Sequence, residues 1–259
     1  MFSFLKKKKN VPQEEQKSVQ HVDYEDVTDL ANYFQKETGV TFEKQKSILK
    51  NKLMTFCKQR ELASFGELLK RVDSDEHLKQ ELIDYLTTNE TFFYRELKQI
   101  HELVILVQKS LQNVDILCAP SATGEEPYSI AIALLEAGVS STKFSIVGID
   151  INSDAIKKAQ AAVYRQRNVR NLSDEVIAKY FHENNGSYSL KSSIKSLVTF
   201  RVENLFDASF KHIGKFDFIF SRNMLIYFDK ETKIKAKEIL ESLRKEDKHP
   251  VFFGHADLF

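Results

Sequence analysis

The first part of the chain repeats hydrophobic residues at the spacing of an α-helix. Residues 23 to about 111 contain no proline, and their apolar positions fall three and four residues apart, which puts them on one face of a helix. Gly39 follows the first stripe and suits a helix end, because glycine readily adopts a left-handed conformation. The pattern predicts several amphipathic helices with these stripes: Val27, Leu30, Ala31 and Phe34; Leu49, Leu53 and Phe56; Leu78, Leu82, Tyr85 and Leu86; and Leu97, Ile100 and Val104.

After residue 113 the pattern changes to short continuous apolar runs separated by helical segments. Such runs are typical of strands buried in a parallel sheet. The first run is followed by Pro120, which stops the strand, by the turn residue Gly124 and by a helix with Pro127 in its first turn. The alternation predicts an α/β fold. The predicted strands are 114–118, 144–149, 186–190, 197–202, 216–220 and 251–253, and later helices are predicted over 152–164, 174–181 and 230–244.

These patterns divide the chain into four parts. Residues 1–22 are polar and carry a run of lysines, which predicts a flexible tail. Residues 23–86 are predicted to form a small all-α N-terminal domain, and residues 87–112 a linker segment and a helix. Residues 113–259 are predicted to form the α/β domain.

Composition narrows the class of protein. The chain has 259 residues, of which 42% are hydrophobic and 29% charged, as expected of a soluble globular protein. A net charge of +1 gives no global field that would indicate nucleic acid as a partner. No apolar run approaches the roughly 18 residues of a membrane span. Cys57 and Cys118 are isolated, which fits a reducing cytoplasm and gives no metal-ligand spacing.

The turn after the first predicted strand carries two adjacent carboxylates, Glu125 and Glu126, at the start of a helix. A phosphate ligand would be repelled there, and no lysine follows Gly124, so a phosphate-binding loop is not expected. A ligand with a cationic end and no phosphate fits better, and S-adenosylmethionine, with its ammonium, sulfonium, ribose and adenine, is such a ligand. The alternative is that both carboxylates only interact favourably with the positive end of the helix dipole.

Other polar residues follow strands or interrupt the helical pattern. Asp150 ends the second predicted strand, where an acidic residue commonly accepts hydrogen bonds from ribose hydroxyls, and Asn204 follows a later strand at the same predicted edge of the sheet. The stretch LTTNETFFYRE, residues 86–96, has more polar groups than a packing helix needs. Its Arg95 is expected to meet a carboxylate, which is either that of a ligand or that of a structural glutamate.

Three stretches in this order resemble the bacterial chemotaxis-receptor glutamate methyltransferases, the CheR family. They are TNETFFYRE, ATGEEPYSIAI and SRNMLIYFD, with GIDI and ENLFD between the last two, and the resemblance covers roughly residues 23–259. The resemblance implies a Rossmann-like SAM-dependent methyltransferase domain preceded by a small all-α N-terminal domain. It also implies a cytoplasmic enzyme that methylates glutamate side chains on the cytoplasmic helical domain of membrane chemoreceptors, with S-adenosyl-L-homocysteine as product and no metal.

The resemblance also assigns roles to residues. Arg95 would lie near the methionine carboxylate, Asp150 would hold the ribose, and Tyr227 would lie close to the transferred methyl group, so that Arg95 and Tyr227 are the candidate catalytic residues. Either Glu125 or Glu126 would contact the cofactor, and the sequence leaves open which of them does. The implied cofactor-binding set is Asn89, Thr91, Arg95, Gly124, Glu125, Glu126, Asp150, Asn204, Leu205, Arg222 and Asn223.

A glutamate acceptor is already ionised near pH 7, so the reaction needs alignment and exclusion of water rather than a general base. This agrees with the lack of a Ser–His–Asp set or metal cluster in the sequence. The alternative from another class is a non-catalytic S-adenosylmethionine sensor. A second enzyme alternative is methylation of RNA or of a small molecule, and the neutral charge balance counts against RNA.

The chain departs from the family pattern at three places. Ala122 replaces a serine in the turn before Gly124. In the basic second helix, Lys52, Thr55 and Phe56 stand at or near positions where the family uses arginines in receptor contact. The family also continues for roughly one more β-hairpin beyond HADLF, so the sheet is expected to be short by its last strands.

Overall fold

A computed structural model describes residues 23–87, 90–247 and 249–257. The expected tail, residues 1–22, lies outside these ranges. The helices are α1 Thr28–Thr38, α2 Lys46–Gln59, α3 Phe65–Ser74, α4 Glu76–Leu86, α5 Leu97–Lys109, α6 Glu125–Glu136, α7 Ser153–Ala161, α8 Gln166–Val169, α9 Asp174–Tyr180, α10 Ser192–Lys195 and α11 Lys230–Ser242. The strands are β1 Val114–Cys118, β2 Phe144–Asp150, β3 Val163–Arg165, β4 Phe181–Asn184, β5 Ser187–Leu190, β6 Val198–Val202, β7 Phe218–Ser221 and β8 Val251–Phe253.

Helices α1 to α4 form a helical unit with its own hydrophobic core. The side chains of Ser64 and Asp75 accept hydrogen bonds from main-chain N–H groups in the first turns of α3 and α4, which satisfies donors that a helix leaves unpaired. Gly39 ends α1 in a left-handed conformation with φ +76, as its sequence position predicts. The apolar stripes predicted for these helices supply most of the buried residues of this core.

A five-stranded parallel sheet in the order β6-β2-β1-β7-β8 forms the centre of the second unit. Strand β1 lies in the middle, with Ile116 level with Ile146 on one side and with Phe218 on the other. The strands are buried and apolar, as expected where helices cover a parallel sheet. Helix α5 packs against α6, and its Ile100 and Leu103 belong to this unit's core rather than to that of the helical unit. The predicted α/β, Rossmann-like architecture is confirmed.

A second, antiparallel sheet, β3-β5-β4, corrects one prediction. The helix expected over 152–164 ends at Ala161, because Ala162 adopts a left-handed conformation with φ +53 and residues 163–165 pair with β5. Tyr164 is buried in the core through this pairing. Strand formation therefore depends on a partner more than 20 residues further along the chain, which the local periodicity does not reveal.

Several hydrogen bonds join the helical unit to the sheet unit. The side chain of Gln35 donates to Asp229 at 2.6 Å, and the N–H of Thr41 donates to the carbonyl of Tyr227 at 2.9 Å. Asp84 of α4 accepts from the N–H and the hydroxyl of Ser153, both at 2.6 Å. These contacts hold the helical unit over the carboxyl ends of the strands. Within the described ranges, no helix combines the length and apolar character needed to cross a membrane.

Candidate functional site

A cavity of about 650 Å³ lies where the helical unit meets the carboxyl ends of β1, β2, β6 and β7. The position follows from the topology, because ligands of open parallel sheets bind beyond the carboxyl ends of the strands. Of the residues assigned from sequence, the structure brings these nine to the cavity: Thr91, Arg95, Glu126, Asp150, Asn204, Leu205, Arg222, Asn223 and Tyr227. Asn89 lies outside the described residues.

Asp150 ends β2 and is held from two sides by main-chain donors. Its Oδ2 accepts from the N–H of Ala122, and its Oδ1 from the N–H of Asn152, each at 2.9 Å. Burial raises the pKa of Asp150 to about 6, although these N–H donors favour the charged form. Each carboxylate oxygen keeps a further lone pair that can accept a hydrogen bond from a hydroxyl group.

Glu126, in the first turn of α6, pairs with the buried guanidinium of Arg222, with 3.0 Å between its Oε2 and Nη1 of Arg222. Burial raises the pKa of Glu126, and the charge of Arg222 opposes that shift. The Arg222 guanidinium also donates to the main-chain carbonyl of Arg95. The Oε1 atom of Glu126 is buried without a hydrogen-bond partner. An unpaired carboxylate oxygen on the cavity suits a cationic ligand group such as an ammonium.

Glu125 and Gly124 are not brought to the cavity. Glu125 is fully buried and accepts from the hydroxyl of Thr123 at 2.6 Å and from the side-chain amide of Asn168 at 2.7 Å. Gly124 begins α6 with φ +92, and a Cβ there would lie 3.0 Å from that of Ala159. Both residues therefore have structural explanations that do not involve a ligand.

The polar segment that precedes α5 forms another part of the lining, next to the pair of Arg222 and Glu126. Arg95 lines the cavity and donates to the carbonyl of Glu90 at 3.1 Å. The segment is anchored by Phe93, whose N–H donates to the carbonyl of Asn168 at 2.8 Å, and by Tyr94, whose N–H donates to the hydroxyl of Ser129 at 3.0 Å. These two bonds fix the main chain immediately before Arg95.

Asn204 and Leu205 follow β6. The side-chain amide of Asn204 donates to the carbonyl of Glu37 at the end of α1 at 2.7 Å, and its side-chain oxygen accepts from the N–H of Phe206 at 3.0 Å. Asn204 thus joins the sheet unit to the helical unit at the cavity. Leu205 is buried and gives this part of the wall an apolar surface suited to a flat ring.

The loop between β7 and α11 supplies the remaining residues. Asn223 adopts a left-handed conformation with φ +60, and Tyr227, near the end of the loop, is 41% exposed. The combination of a buried carboxylate at a strand end, an unpaired carboxylate oxygen and an apolar wall in one cavity fits S-adenosylmethionine. Asp150, Glu126 and Leu205 are the residues that would hold its ribose, ammonium and adenine.

Sequence reasoning missed the contribution of the helical unit to the cavity. Lys52 and Ile48 of α2, and Phe42 in the connection before it, also line the cavity. In the sequence, Lys52 is one of many charges that surround α2, and Ile48 lies outside its buried stripe. The family resemblance placed Lys52 at or near a receptor-contact position, but that Lys52 and Ile48 line the cavity became evident only from the orientation of α2 over the sheet.

Comparison with known proteins identifies the family. Residues 25–87 match the family model described as the CheR methyltransferase all-alpha domain, and residues 89–259 match the CheR methyltransferase SAM binding domain. The chain is similar to a chemotaxis protein methyltransferase of Campylobacter jejuni, with 37% identity over 222 residues that cover 85% of this chain and 84% of the relative.

Two further relatives bear similar names. Chemotaxis protein methyltransferase 2 of Vibrio cholerae is 32% identical over 87% of this chain and 83% of the relative. The chemotaxis protein methyltransferase of Escherichia coli is 29% identical over 87% of this chain and 81% of the relative. The chain belongs to the CheR methyltransferase family, and its α/β unit is a methyltransferase domain that uses S-adenosylmethionine as cofactor.

Proposed function

We propose that this protein methylates glutamate side chains on the cytoplasmic helical domain of membrane chemoreceptors. The reaction forms glutamyl methyl esters for chemotactic adaptation and takes place in the cytoplasm. The names of the relatives support a role in chemotaxis. The resemblance of three separate sequence stretches to the family supports the acceptor.

The observation that carries the proposal is the composition of the cavity described above. Its deep part combines Asp150 with the unpaired oxygen of Glu126. The helical unit contributes the cations Lys44 and Lys52 and one carboxylate, Glu43, to the lining, so the charge of this wall is net positive. Cations on that wall attract an anionic acceptor. Tyr227 is exposed, and its carbonyl accepts from the N–H of Thr41 at 2.9 Å, so it lies beside the segment that carries Lys44.

The proposed roles of the site residues follow from these surroundings. Asp150 accepts hydrogen bonds from the ribose hydroxyls, and Glu126 pairs with the ammonium of the methionine part of the cofactor. Arg95 pairs with the cofactor's carboxylate, while Thr91, Asn204, Leu205, Arg222 and Asn223 enclose the remainder. Tyr227 packs beside the methyl group that is transferred.

Catalysis in this proposal consists of binding, orientation and exclusion of water. The cofactor, when bound, supplies an activated methyl group. The acceptor carboxylate is ionised near neutral pH, so the protein need not remove a proton from it. Enclosure of the reactants between the helical unit and the sheet fixes their orientation and lowers the entropic part of the barrier.

The test is a methyl-transfer assay with radiolabelled cofactor and a purified receptor cytoplasmic domain. Glutamyl esters are cleaved by mild alkali and release volatile methanol, whereas methylated amines and RNA keep their label. We expect vapour-phase label after base treatment. Label that stays on the acceptor would overturn the glutamate assignment and favour another methyl acceptor.

A matched variant separates the enzyme from a non-catalytic sensor. Tyr227→Phe should lower turnover by about tenfold and change product binding less, because a contact beside the transferred methyl matters most in the transition state. Product binding without any transfer by the unaltered protein, with several receptor domains, would support the sensor instead.

A further inference from the structure

Asp257 is a buried carboxylate to which the proposed reaction gives no role. It lies in a short 3-10 turn, His255–Asp257, that follows β8, and it is 1% exposed. Its Oδ2 accepts from the N–H groups of Asn223, at 2.5 Å, and Gly254, at 3.1 Å. Its Oδ1 accepts from the N–H of Ile226 at 3.3 Å. A buried carboxylate is costly, and main-chain donors to both oxygens offset that cost.

Two of these donors belong to the loop between β7 and α11, which lines the cavity. Asn223 is the first, and its left-handed conformation is uncommon for a residue with a side chain. Ile226 is the second and precedes Tyr227. The carboxylate therefore bridges the two ends of the segment whose side chains, Asn223 and Tyr227, line the cavity.

Gly254 provides a second, independent observation at the same contact. A Cβ at this position would lie 2.9 Å from Oδ2 of Asp257, 3.0 Å from the nitrogen of Asn223 and 3.4 Å from Cα of Arg222. A side chain there would force the three groups apart. Glycine thus permits the close approach of the end of β8 to the start of the loop.

We propose that Asp257 is a positioning residue that holds the Asn223–Tyr227 segment in the conformation that binds the cofactor and orients the acceptor. It touches neither reactant and acts through the main chain. The loop is held by contacts from two separate parts of the chain, the turn after β8 and the helical unit. Asp257 holds it through the N–H groups of Asn223 and Ile226, and the N–H of Thr41 donates to the carbonyl of Tyr227 at its end.

The first experiment compares Asp257→Asn with Asp247→Asn. Both remove one negative charge, but the side chain of Asp247 is fully exposed, and its ion pair among the described residues is with the nearby Arg244 at 3.6 Å. The amide at position 257 keeps the volume but turns an N–H donor towards a main-chain donor. We expect Asp257→Asn to weaken S-adenosylhomocysteine binding about tenfold, and the control to leave it within about twofold.

A double-mutant cycle then distinguishes positioning from general stability. Asn223→Gly removes the positioned side chain while it permits the left-handed conformation. If Asp257 acts through Asn223, Asp257→Asn should weaken product binding by less than about threefold in the Asn223→Gly background. A tenfold loss in both backgrounds, or no loss in the unaltered background, would overturn the proposal.

Two further measurements complete the test. If Asp257→Asn does not fold, Gly254→Ala disturbs the same contact from the other side and is expected to show the same coupling to Asn223→Gly; independence would overturn the proposal. Only the turnover measurement rests on the proposed function. In that assay we expect Asp257→Asn to lower kcat by a larger factor than it raises the KM for the acceptor. If the unaltered protein binds product but transfers no methyl group, the proposed function fails while the binding cycle still decides the role of Asp257.

Discussion

The main-chain N–H of Ala122 donates a hydrogen bond to the carboxylate of Asp150 at 2.9 Å. The two residues lie 28 positions apart in sequence, and they meet because β1 and β2 are neighbouring parallel strands whose carboxyl ends share one edge of the sheet. The bond fixes the turn before α6 to the residue proposed to hold the ribose. The protonation state of the Asp150 carboxylate therefore affects both the turn before α6 and the end of β2.

The first prediction concerns the pH dependence of product binding. Burial raises the pKa of Asp150 to about 6, and ribose hydroxyls donate to its ionised form. Binding should therefore be strongest above about pH 6 and weaken as pH falls through that value, by up to about tenfold per pH unit. Calorimetric titration with S-adenosylhomocysteine across this range measures the effect.

The variant Asp150→Asn is the control for this titration. It should bind more weakly above pH 6 and show a flatter pH dependence, because the titrating group is gone. Glu126, whose pKa is also raised by burial, remains in both proteins. Parallel pH curves for the two proteins would show that another group is responsible.

A second prediction concerns the buried pair of Arg222 and Glu126. Arg222→Met leaves the carboxylate of Glu126 buried without its cation, which should lower the free energy of unfolding by about 3–5 kcal/mol. Adding Glu126→Gln removes the stranded charge and should recover part of the loss. Urea denaturation at neutral pH provides the values. A double variant no more stable than Arg222→Met would contradict this account of the pair.

A third prediction separates the two adjacent glutamates. Glu126→Gln removes the charge beside the unpaired oxygen on the cavity and should weaken product binding about tenfold, since hydrogen bonds to charged groups contribute more than neutral ones. Glu125→Gln, an identical change one residue earlier, should leave binding within about twofold, because Glu125 is bonded to Thr123 and Asn168 away from the cavity. The opposite order of effects in calorimetry would reverse the assignment.

The fourth prediction addresses the acceptor. Lys52 lines the cavity, whereas Lys58 of the same helix is exposed and is not part of its lining. Lys52→Glu should raise the KM for the receptor domain about tenfold through repulsion of its carboxylates, with product binding within about twofold. Lys58→Glu should change both quantities by less than about twofold. Equal effects of the two substitutions would mean that α2 attracts the acceptor through its overall charge and that Lys52 has no specific role.

Much of the fold could be predicted because burial imposes local periodicity. The stripe of Leu30 and Phe34 with Gly39 behind it predicts α1, and the run that ends at Asp150 predicts β2, since each pattern spans only a few residues. The position of Asp150 at a strand end also follows from the sequence. The carboxyl ends of parallel strands share the edge of the sheet at which ligands bind, so the last side chain of such a strand lies at that edge.

Other features depend on partners distant in sequence. The pairing of residues 163–165 with β5 overrides a helical pattern, and no local periodicity reports the position of a pairing strand. The orientation of α2 over the sheet brings Lys52 to the cavity, although the charges of that helix are distributed around it. The sequence near α2 contains no information about which of its faces meets the strand ends.

The amino-acid sequence by itself determined the two units, the order of most elements and the family, because these are recorded in local periodicity and in three contiguous motifs. Only the tertiary structure decided which of Glu125 and Glu126 lies on the cavity. Adjacent helical residues differ by about 100° in direction, and the choice depends on Asn168 and Arg222, which pack against α6 from far along the chain. The same holds for Asp257: its proposed role depends on the end of β8 lying against the loop that begins at Arg222.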